Sequence, residues 1–239
     1  MDVAGHRIFH LTHVRNFAAI AESGALAPST AGGEPEFDLS APQHREQRRT
    51  ATLPETVTAA DTAAIGVAVS AETGADAAAA SHEPAAAHTV ADCVPFFATP
   101  ESSLWNDLRT GAPDPRLSAA ARSSSASDYV LLATTVGEVE KAATLVLALD
   151  EASAPTTPMT ADPVAVRREL RRLISLDAGD GEDSPLAAVE ILAAGPVPLE
   201  VVSLIGVANS KARDEVKAVL RDAGLDIRVA VYPPWFGRG

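Results

Sequence analysis

The chain has 239 residues, of which 46% are hydrophobic and only 4% aromatic. That length fits one large domain with a sizeable core. The formal net charge of -13 argues against indiscriminate binding to polyanions, because like charges repel at long range. A local basic strip is still compatible with this charge at two arginine clusters, within residues 45–49 and 167–172.

Several common classes of protein lack support in the sequence. Cys93 is the only cysteine, so no intrachain disulfide can form, and we expect a cytoplasmic protein. The first residues lack an apolar signal core, and no apolar run is long enough to span a membrane. Without a cysteine pair or an HExxH pattern we expect no metal, and neither a Walker A sequence nor a GxGxxG fingerprint is present.

The N-terminal segment predicts a strand, a polar turn and a helix. Residues 7–11 are suited to the strand, and apolar residues from Val14 to Ile20 recur at helical spacing until Gly24 ends the helix. Between them lie four polar side chains that could bind a ligand at the strand end: His10, Thr12, His13 and Asn16. The alternative is a structural turn in which Thr12 or Asn16 caps the helix.

The next part of the chain predicts a loop, a basic patch and an insertion. Residues 28–42 are rich in Gly and Pro, and His44 to Arg49 form the patch. Arg48 and Arg49 suit bidentate contacts to phosphate, although a solvated charge run is the alternative. Residues 54–88 are rich in Ala, Thr, Glu and Asp without any aromatic residue. We interpret them as a flexible insertion in a single domain spanning residues 1–239, with a short element at residues 64–69.

The remaining chain alternates short strands and helices irregularly, which favours an α+β fold. The predicted strands are residues 129–134, 145–149, 189–192, 201–207 and 227–231. The predicted helices are residues 136–143, 163–174 and 210–223, with an acidic loop at residues 176–185.

Glu190 is the strongest candidate for chemistry. It begins an apolar strand, where a carboxylate must be paired, hydrogen-bonded or functional. The alternative is a strand-edge glutamate that faces water. The aromatic residues Phe96, Phe97, Trp105, Trp235 and Phe236 line a pocket or, by default, fill the core.

Six segments, in this order along the chain, resemble the DarT-type family of NAD-dependent ADP-ribosyltransferase toxins. They are FHLTHVRNFAAIAESGAL, HREQRRTATL, ADCVPFFATPESSLW, DYVLLATTVGEVEKA, AAVEILAAGPVP with VVSLIGV, and VYPPWF. Three segments depart from the family pattern: Cys93 replaces its tyrosine, Asp150 to Ala154 replace a TDGNA-like stretch, and LDAGDGEDSPLA replaces a basic, Trp-rich segment.

The resemblance implies an ADP-ribosyltransferase fold, with a split mixed β-sheet, flanking helices and NAD in a central cleft. It implies transfer of ADP-ribose to a thymine-type base in single-stranded DNA, and a toxin countered by a macrodomain antitoxin. By position, Glu190 would be the catalytic carboxylate, and Arg48 or Arg49 the active-site arginine. The implied NAD contacts are His10, Thr12, His13, Asn16, Phe96 and Phe97.

Two other functions stay open on the sequence. The acidic replacement loop would repel a phosphate backbone, which favours a protein acceptor or NAD hydrolysis on the same fold. ADP-ribosylation of RNA is a further alternative. The lost loop motif also allows a catalytically degenerate binding protein. Convergence of Glu190, His10 and one arginine on one cleft would favour an enzyme. The oligomeric state is not predicted.

Overall fold

The computed structural model describes residues 2–54, 88–177 and 184–237. The predicted insertion falls outside the described residues except at residues 54 and 88, and so does its short element at residues 64–69. Most of the predicted acidic loop at residues 176–185 also lies outside them. The assignment of residues 1–239 to one domain with an insertion therefore stays a prediction.

Helices and strands alternate along the described chain. The helices are α1 (Val14–Ser23), α2 (Pro42–Thr50), α3 (Ser103–Thr110), α4 (Ala119–Ser123), α5 (Val136–Glu140), α6 (Pro163–Asp177) and α7 (Ser210–Asp222). The strands are β1 (Arg7–His13), β2 (Ala25–Leu26), β3 (Cys93–Phe97), β4 (Tyr129–Thr135), β5 (Leu145–Ala148), β6 (Met159–Thr160), β7 (Glu190–Ala194), β8 (Val197–Pro198), β9 (Leu204–Val207) and β10 (Val229–Val231).

Eight strands form one mixed sheet in the order β10-β9-β4-β1-β3-β7-β5-β6. Only β10 and β9 run parallel; the other neighbours are antiparallel. Strands β1 and β4 pair over seven residues, whereas β1 and β3 share the single pair Phe9–Phe97. The sheet is therefore nearly divided between β1 and β3, as expected for a split mixed sheet.

The two faces of the sheet carry different packing. Since side chains alternate along a strand, Ile8, Phe96 and Ile191 share one face, where α1, α6 and α7 pack. Phe9, Phe97 and Glu190 lie in register on the opposite face. Helices α3 and α4 and the segment around Trp235 cover much of that second face. Glu190 therefore belongs to the face that does not carry α1, α6 and α7.

The C-terminal aromatic segment closes the second face. The indole of Trp105 donates a hydrogen bond of 2.6 Å to the carbonyl of Trp235. The ring of Trp235 packs edge-to-face on Phe9 at a centroid distance of 5.1 Å. It also lies over Gly206, where an added Cβ would come within 2.5 Å of two ring carbons. A side chain at position 206 is thus incompatible with this packing.

Candidate active site

Glu190 occupies the first position of β7, an internal strand of the sheet. It lies opposite Phe97 of β3 on one side and Ala148 of β5 on the other. Only 8% of its surface is exposed. The strand-edge alternative is therefore wrong, and a carboxylate this buried requires compensation by hydrogen bonds or by an opposite charge.

Arg48 supplies that opposite charge. Its Nη1 lies 3.1 Å from Oε2 and 3.4 Å from Oε1 of Glu190, although the two residues are 142 positions apart. The backbone N–H of Ala152 donates a further hydrogen bond of 3.3 Å to Oε2. Both partners are shielded, with 13% and 10% of their side chains exposed. The pair is therefore much less screened by solvent than a surface ion pair.

One nitrogen of Arg48 has an unmet hydrogen-bonding capacity. Its Nη2 is buried and has no hydrogen-bond partner among the residues that the structure describes. A buried, charged donor without a partner is unfavourable in the free protein. An oxygen atom of a ligand could accept a hydrogen bond from this nitrogen, so Arg48 is suited to hold a ligand beside Glu190.

Arg49 is placed quite differently. Its side chain is 58% exposed, and its nearest acidic partner is Glu46, 3.9 Å away in the preceding helical turn. Consecutive residues on a helix point about 100° apart, so only one of the two arginines can face Glu190. The structure brings Arg48 to the carboxylate and leaves Arg49 on the surface.

A second group of polar side chains lies next to this ion pair. Nδ1 of His44 is 3.1 Å from Oε1 of Glu151, and the Ser153 hydroxyl donates a 2.6 Å hydrogen bond to the same oxygen. His44 and Arg48 are four residues apart, so they share one face of α2. Burial and the nearby charge of Arg48 lower the pKa of His44, while Glu151 and Glu190 oppose that shift. His44 is thus neutral at physiological pH.

Arg116 adds a further positive charge near the two glutamates. It forms a salt bridge of 2.7 Å with the buried Asp114. Burial acts to lower its pKa, but the hydrogen bonds and charge of Asp114, with the charges of Glu151 and Glu190, leave it raised. An isolated bridge between Ser40 and Leu117 fixes this loop against the segment leading into α2. Arg116 is consequently held close to the carboxylates.

Four residues of this site were not predicted from the sequence: His44, Glu151, Ser153 and Arg116. Their meeting depends on the packing of three segments that are distant along the chain. One local signal was present for His44: Pro42 suits the first turn of a helix, and a helix over residues 42–50 would place His44 and Arg48 on one face. No local signal distinguished Glu151 or Arg116 from surface charges.

His10 and Thr12 lie on the other face of the sheet from Glu190. His10 packs edge-to-face on Phe96 and its Nδ1 is 2.9 Å from the carbonyl of Pro95, across the point where β1 and β3 part. Burial lowers its pKa. Thr12 is 7% exposed. His10 is separated from Glu190 by β3, and the expected three-residue convergence is met only by Arg48 and Glu190.

His13 and Asn16 hold a loop residue, Phe37, in place. The ring of His13 stacks on that of Phe37 at a centroid distance of 3.8 Å. The Asn16 side chain donates to the carbonyl and accepts from the N–H of Phe37, both at 2.8 Å. The cap of α1 is His13, which accepts from the N–H of Arg15, so neither Thr12 nor Asn16, the caps named in the alternative interpretation, caps this helix.

A cavity of about 430 Å³ opens beside this stack. It is lined by His13, Val14, Arg15, Phe37, Ala120, Ser123, Ser124, Asp128, Lys211 and Glu215. Neither Glu190 nor Arg48 lines it. Phe37 in the wall of this cavity lies only a few residues before α2, the helix that carries Arg48.

The aromatic candidates are mostly core residues. Phe96 and Trp105 are fully buried, and Phe97 and Phe236 are 8% exposed. Phe96 therefore does not line an open cleft in this structure, whereas Phe97 shares the face of Glu190. The helix α6, which carries the second arginine cluster, packs on the face opposite Glu190 through Val166 and Leu170. That cluster is not a basic strip beside the candidate site.

The described part of the chain contains neither a metal-binding cluster nor a membrane-spanning helix. Within residues 2–54, 88–177 and 184–237, no three His, Cys, Asp or Glu side chains gather in a way that could hold a metal ion. No helix in the same ranges is long and apolar enough to cross a membrane.

The fold is shared with solved ADP-ribosyltransferases. "Thermus sp. 2.9 DarT in complex with ADP-ribosylated ssDNA" matches with a TM-score of 0.70 and 17% identity, covering 98% of this chain and 97% of that one. "Thermus sp. 2.9 DarT in complex with NAD+" matches with a TM-score of 0.67 and 17% identity, covering 98% of both chains. "Thermosipho africanus DarTG in complex with ADP-ribose" gives 0.60 and 12%, covering 97% of this chain and 51% of that one. The predicted fold is thereby confirmed.

A family comparison agrees with the structural one. No curated protein matches the chain at a significant level. The family described as "ssDNA thymidine ADP-ribosyltransferase, DarT" matches over residues 71–237, which is more than half of the chain. With the split sheet and the buried Arg48–Glu190 pair already in place, this match shows that the chain belongs to the DarT family.

Proposed function

We propose that this protein is an NAD-dependent ADP-ribosyltransferase that modifies the thymine base of thymidine in single-stranded DNA. The buried ion pair between Arg48 and Glu190 carries the proposal. In a fold of this family, it places a carboxylate next to a guanidinium that has one nitrogen without a hydrogen-bond partner among the described residues. Family membership supports the same donor and acceptor. The DarT structures of similar fold contain NAD+ and ADP-ribosylated DNA.

Glu190 would act on the ribose of NAD. Cleavage of the bond between nicotinamide and ribose leaves positive charge on the sugar, in an oxocarbenium-like state. A fixed carboxylate beside that carbon stabilises the charged transition state more than the neutral ground state. Since Arg48 and the Ala152 N–H already orient Glu190, little reorganisation is needed at the moment of reaction.

Arg48 would hold the donor. Its Nη1 orients Glu190, and its unpartnered Nη2 is free to donate to a phosphate or ribose oxygen. Arg49 would take no direct part, since it is on the surface. The NAD contacts implied by the resemblance remain proposals. Among them, His13 is the best placed, because it lines an open cavity, and the amide of Asn16 already serves Phe37.

The biological setting is also a proposal. We infer a cytoplasmic toxin, since both NAD and single-stranded DNA are present there, and a macrodomain antitoxin that removes the modification. The Thermosipho DarTG structure, which contains ADP-ribose, supports such a pairing, and this chain spans about half of that protein. Co-expression with a macrodomain hydrolase should restore growth to cells that the protein alone arrests.

The direct test is transfer from NAD labelled in its adenylate part. The protein is incubated with an oligonucleotide containing thymidine, a matched one lacking it, double-stranded DNA, RNA and total protein. We expect label only on the thymidine-containing single strand. Labelled RNA or protein would reassign the acceptor, and nicotinamide release without any labelled polymer would identify an NAD glycohydrolase.

A further inference from the structure

A second carboxylate, that of Glu151, lies beside Glu190. Strand β5 pairs with β7 so that Ala148 is opposite Glu190, and the chain then turns back over the site. This turn brings the Ala152 N–H to Glu190 and leaves Glu151 facing His44. Helix α2 thus presents two side chains on one face, His44 and Arg48, each matched to its own carboxylate.

The His44–Glu151 pair has the arrangement of an oriented base. Glu151 and Ser153 both approach the Nδ1 side of the ring, at 3.1 Å and 3.5 Å. The other ring nitrogen, Nε2, has no hydrogen-bond partner among the described residues. A carboxylate on Nδ1 fixes the ring and its tautomer, and stabilises the imidazolium that forms when Nε2 accepts a proton.

The environment of His44 affects whether its ring carries a proton in the free protein. Arg48 on the same helix and Arg116 on the neighbouring loop disfavour a proton on His44, while Glu151 and Glu190 favour one. Burial is the largest of these effects and lowers the pKa of His44, which favours the neutral imidazole in the free protein. Glu190 cannot serve equally well as the base, because both of its oxygens face the Arg48 guanidinium.

We propose that His44, oriented by Glu151, takes the proton from the acceptor base during transfer. The step rests on the proposed function. The bond between the nicotinamide nitrogen and the ribose carbon breaks, and its electron pair leaves with nicotinamide. The ring nitrogen of the acceptor forms the new bond to that carbon, and its N–H proton passes to Nε2 of His44. The imidazolium is then paired with Glu151, and solvent later removes the proton.

The test separates transfer from cleavage. His44→Gln and Glu151→Gln are compared with wild type and with Glu46→Gln, an exposed acid on the same helix. Transfer to the thymidine oligonucleotide and release of nicotinamide in the absence of DNA are both measured across pH. A water molecule that adds to the sugar cation becomes a strongly acidic oxonium group, which loses its proton to solvent. Hydrolysis therefore does not need His44 as a base.

We expect both variants to lose roughly a hundredfold in transfer while nicotinamide release changes by less than about threefold. The His44→Gln profile should also lose its acidic limb and recover at high pH, where the acceptor ionises unaided. Glu46→Gln should match wild type.

Two results would overturn the inference. One is transfer by His44→Gln at the wild-type rate with an unchanged pH profile. The other is a parallel loss of transfer and nicotinamide release, which would indicate a structural role for the pair. If wild-type protein releases nicotinamide but labels no DNA, the proposed function itself fails, and the step fails with it.

Discussion

Nη1 of Arg48 lies within 3.4 Å of both carboxylate oxygens of Glu190, and both side chains are almost entirely shielded from water. One nitrogen of the same guanidinium remains without a partner among the described residues. The pair therefore combines two properties: it orients the carboxylate, and it retains a donor for a ligand.

Glu190→Gln should keep the native fold, although it leaves the buried Arg48 without its charged partner, and should lose about a hundredfold or more of the transfer activity. The amide is close to isosteric with the carboxylate, but it lacks the charge that stabilises an oxocarbenium-like transition state. Transfer of label from NAD to the thymidine oligonucleotide measures the loss, and circular dichroism checks the fold. Near wild-type transfer by this variant would remove Glu190 from the catalytic role.

The neighbouring arginines should respond unequally to the same substitution. Arg48→Gln leaves a buried carboxylate unpaired, so we expect transfer to fall about a hundredfold and the free energy of unfolding to fall by about 3 kcal/mol. Arg49→Gln removes a side chain that is 58% exposed, so both quantities should stay near wild type. Denaturant unfolding and the transfer assay test both variants, and equal losses would refute the distinction.

Gly206→Ala should destabilise the protein by about 2 kcal/mol, because the added methyl group would overlap the ring of Trp235 and force it away from Phe9. The matched control is Gly33→Ala, where an added Cβ meets nothing within 4 Å. The midpoint of urea unfolding and the fluorescence of the tryptophans report both effects. An unchanged midpoint for the first variant would mean that Trp235 does not pack in this way.

Asn16→Ala should release the loop around Phe37. The substitution removes two hydrogen bonds of 2.8 Å, worth about 2 kcal/mol together, and weakens the stack of Phe37 on His13. Hydrogen exchange of the Phe37 amide should accelerate, and the KM for NAD should rise if the adjoining cavity receives the donor. Glu22→Ala, an exposed position of the same helix, should change neither.

Stability should fall as the pH falls from about 7 to about 5. Burial lowers the pKa of His10 below its ordinary value of 6.5, so at mildly acidic pH the unfolded chain binds a proton that the folded chain does not. His13 and His44 act in the same direction. His10→Asn keeps a donor near the carbonyl of Pro95 without titrating, and its free energy of unfolding should depend less steeply on pH. An equally steep dependence in this variant would show that His10 does not contribute to the pH dependence of stability.

Most of the fold could be predicted from local pattern. The apolar run at residues 129–134 became β4, which extends to Thr135, and the glycines at 24 and 224 follow helices with positive φ. These signals are local, since alternation, helical spacing and left-handed glycine depend on neighbouring residues. Helix α2 was missed because its charged sequence shows little apolar periodicity.

The site was only partly predictable. Glu190 could be singled out, since a carboxylate in an apolar strand requires an explanation. The choice between Arg48 and Arg49 could not be made without the orientation of α2. Glu151 was noticed only as a departure from a family motif, because its relation to His44 depends on how the turn after β5 folds back over β7.

The packing of Trp235 on Phe9 has a consequence for the order in which the molecule is built. Phe9 belongs to β1, whereas Trp235 is made more than two hundred residues later during translation. Until then, the apolar cluster around Trp105 lacks its cover. A nascent chain therefore cannot complete this half of its interior, and translation must pass residue 236 before the native state becomes accessible.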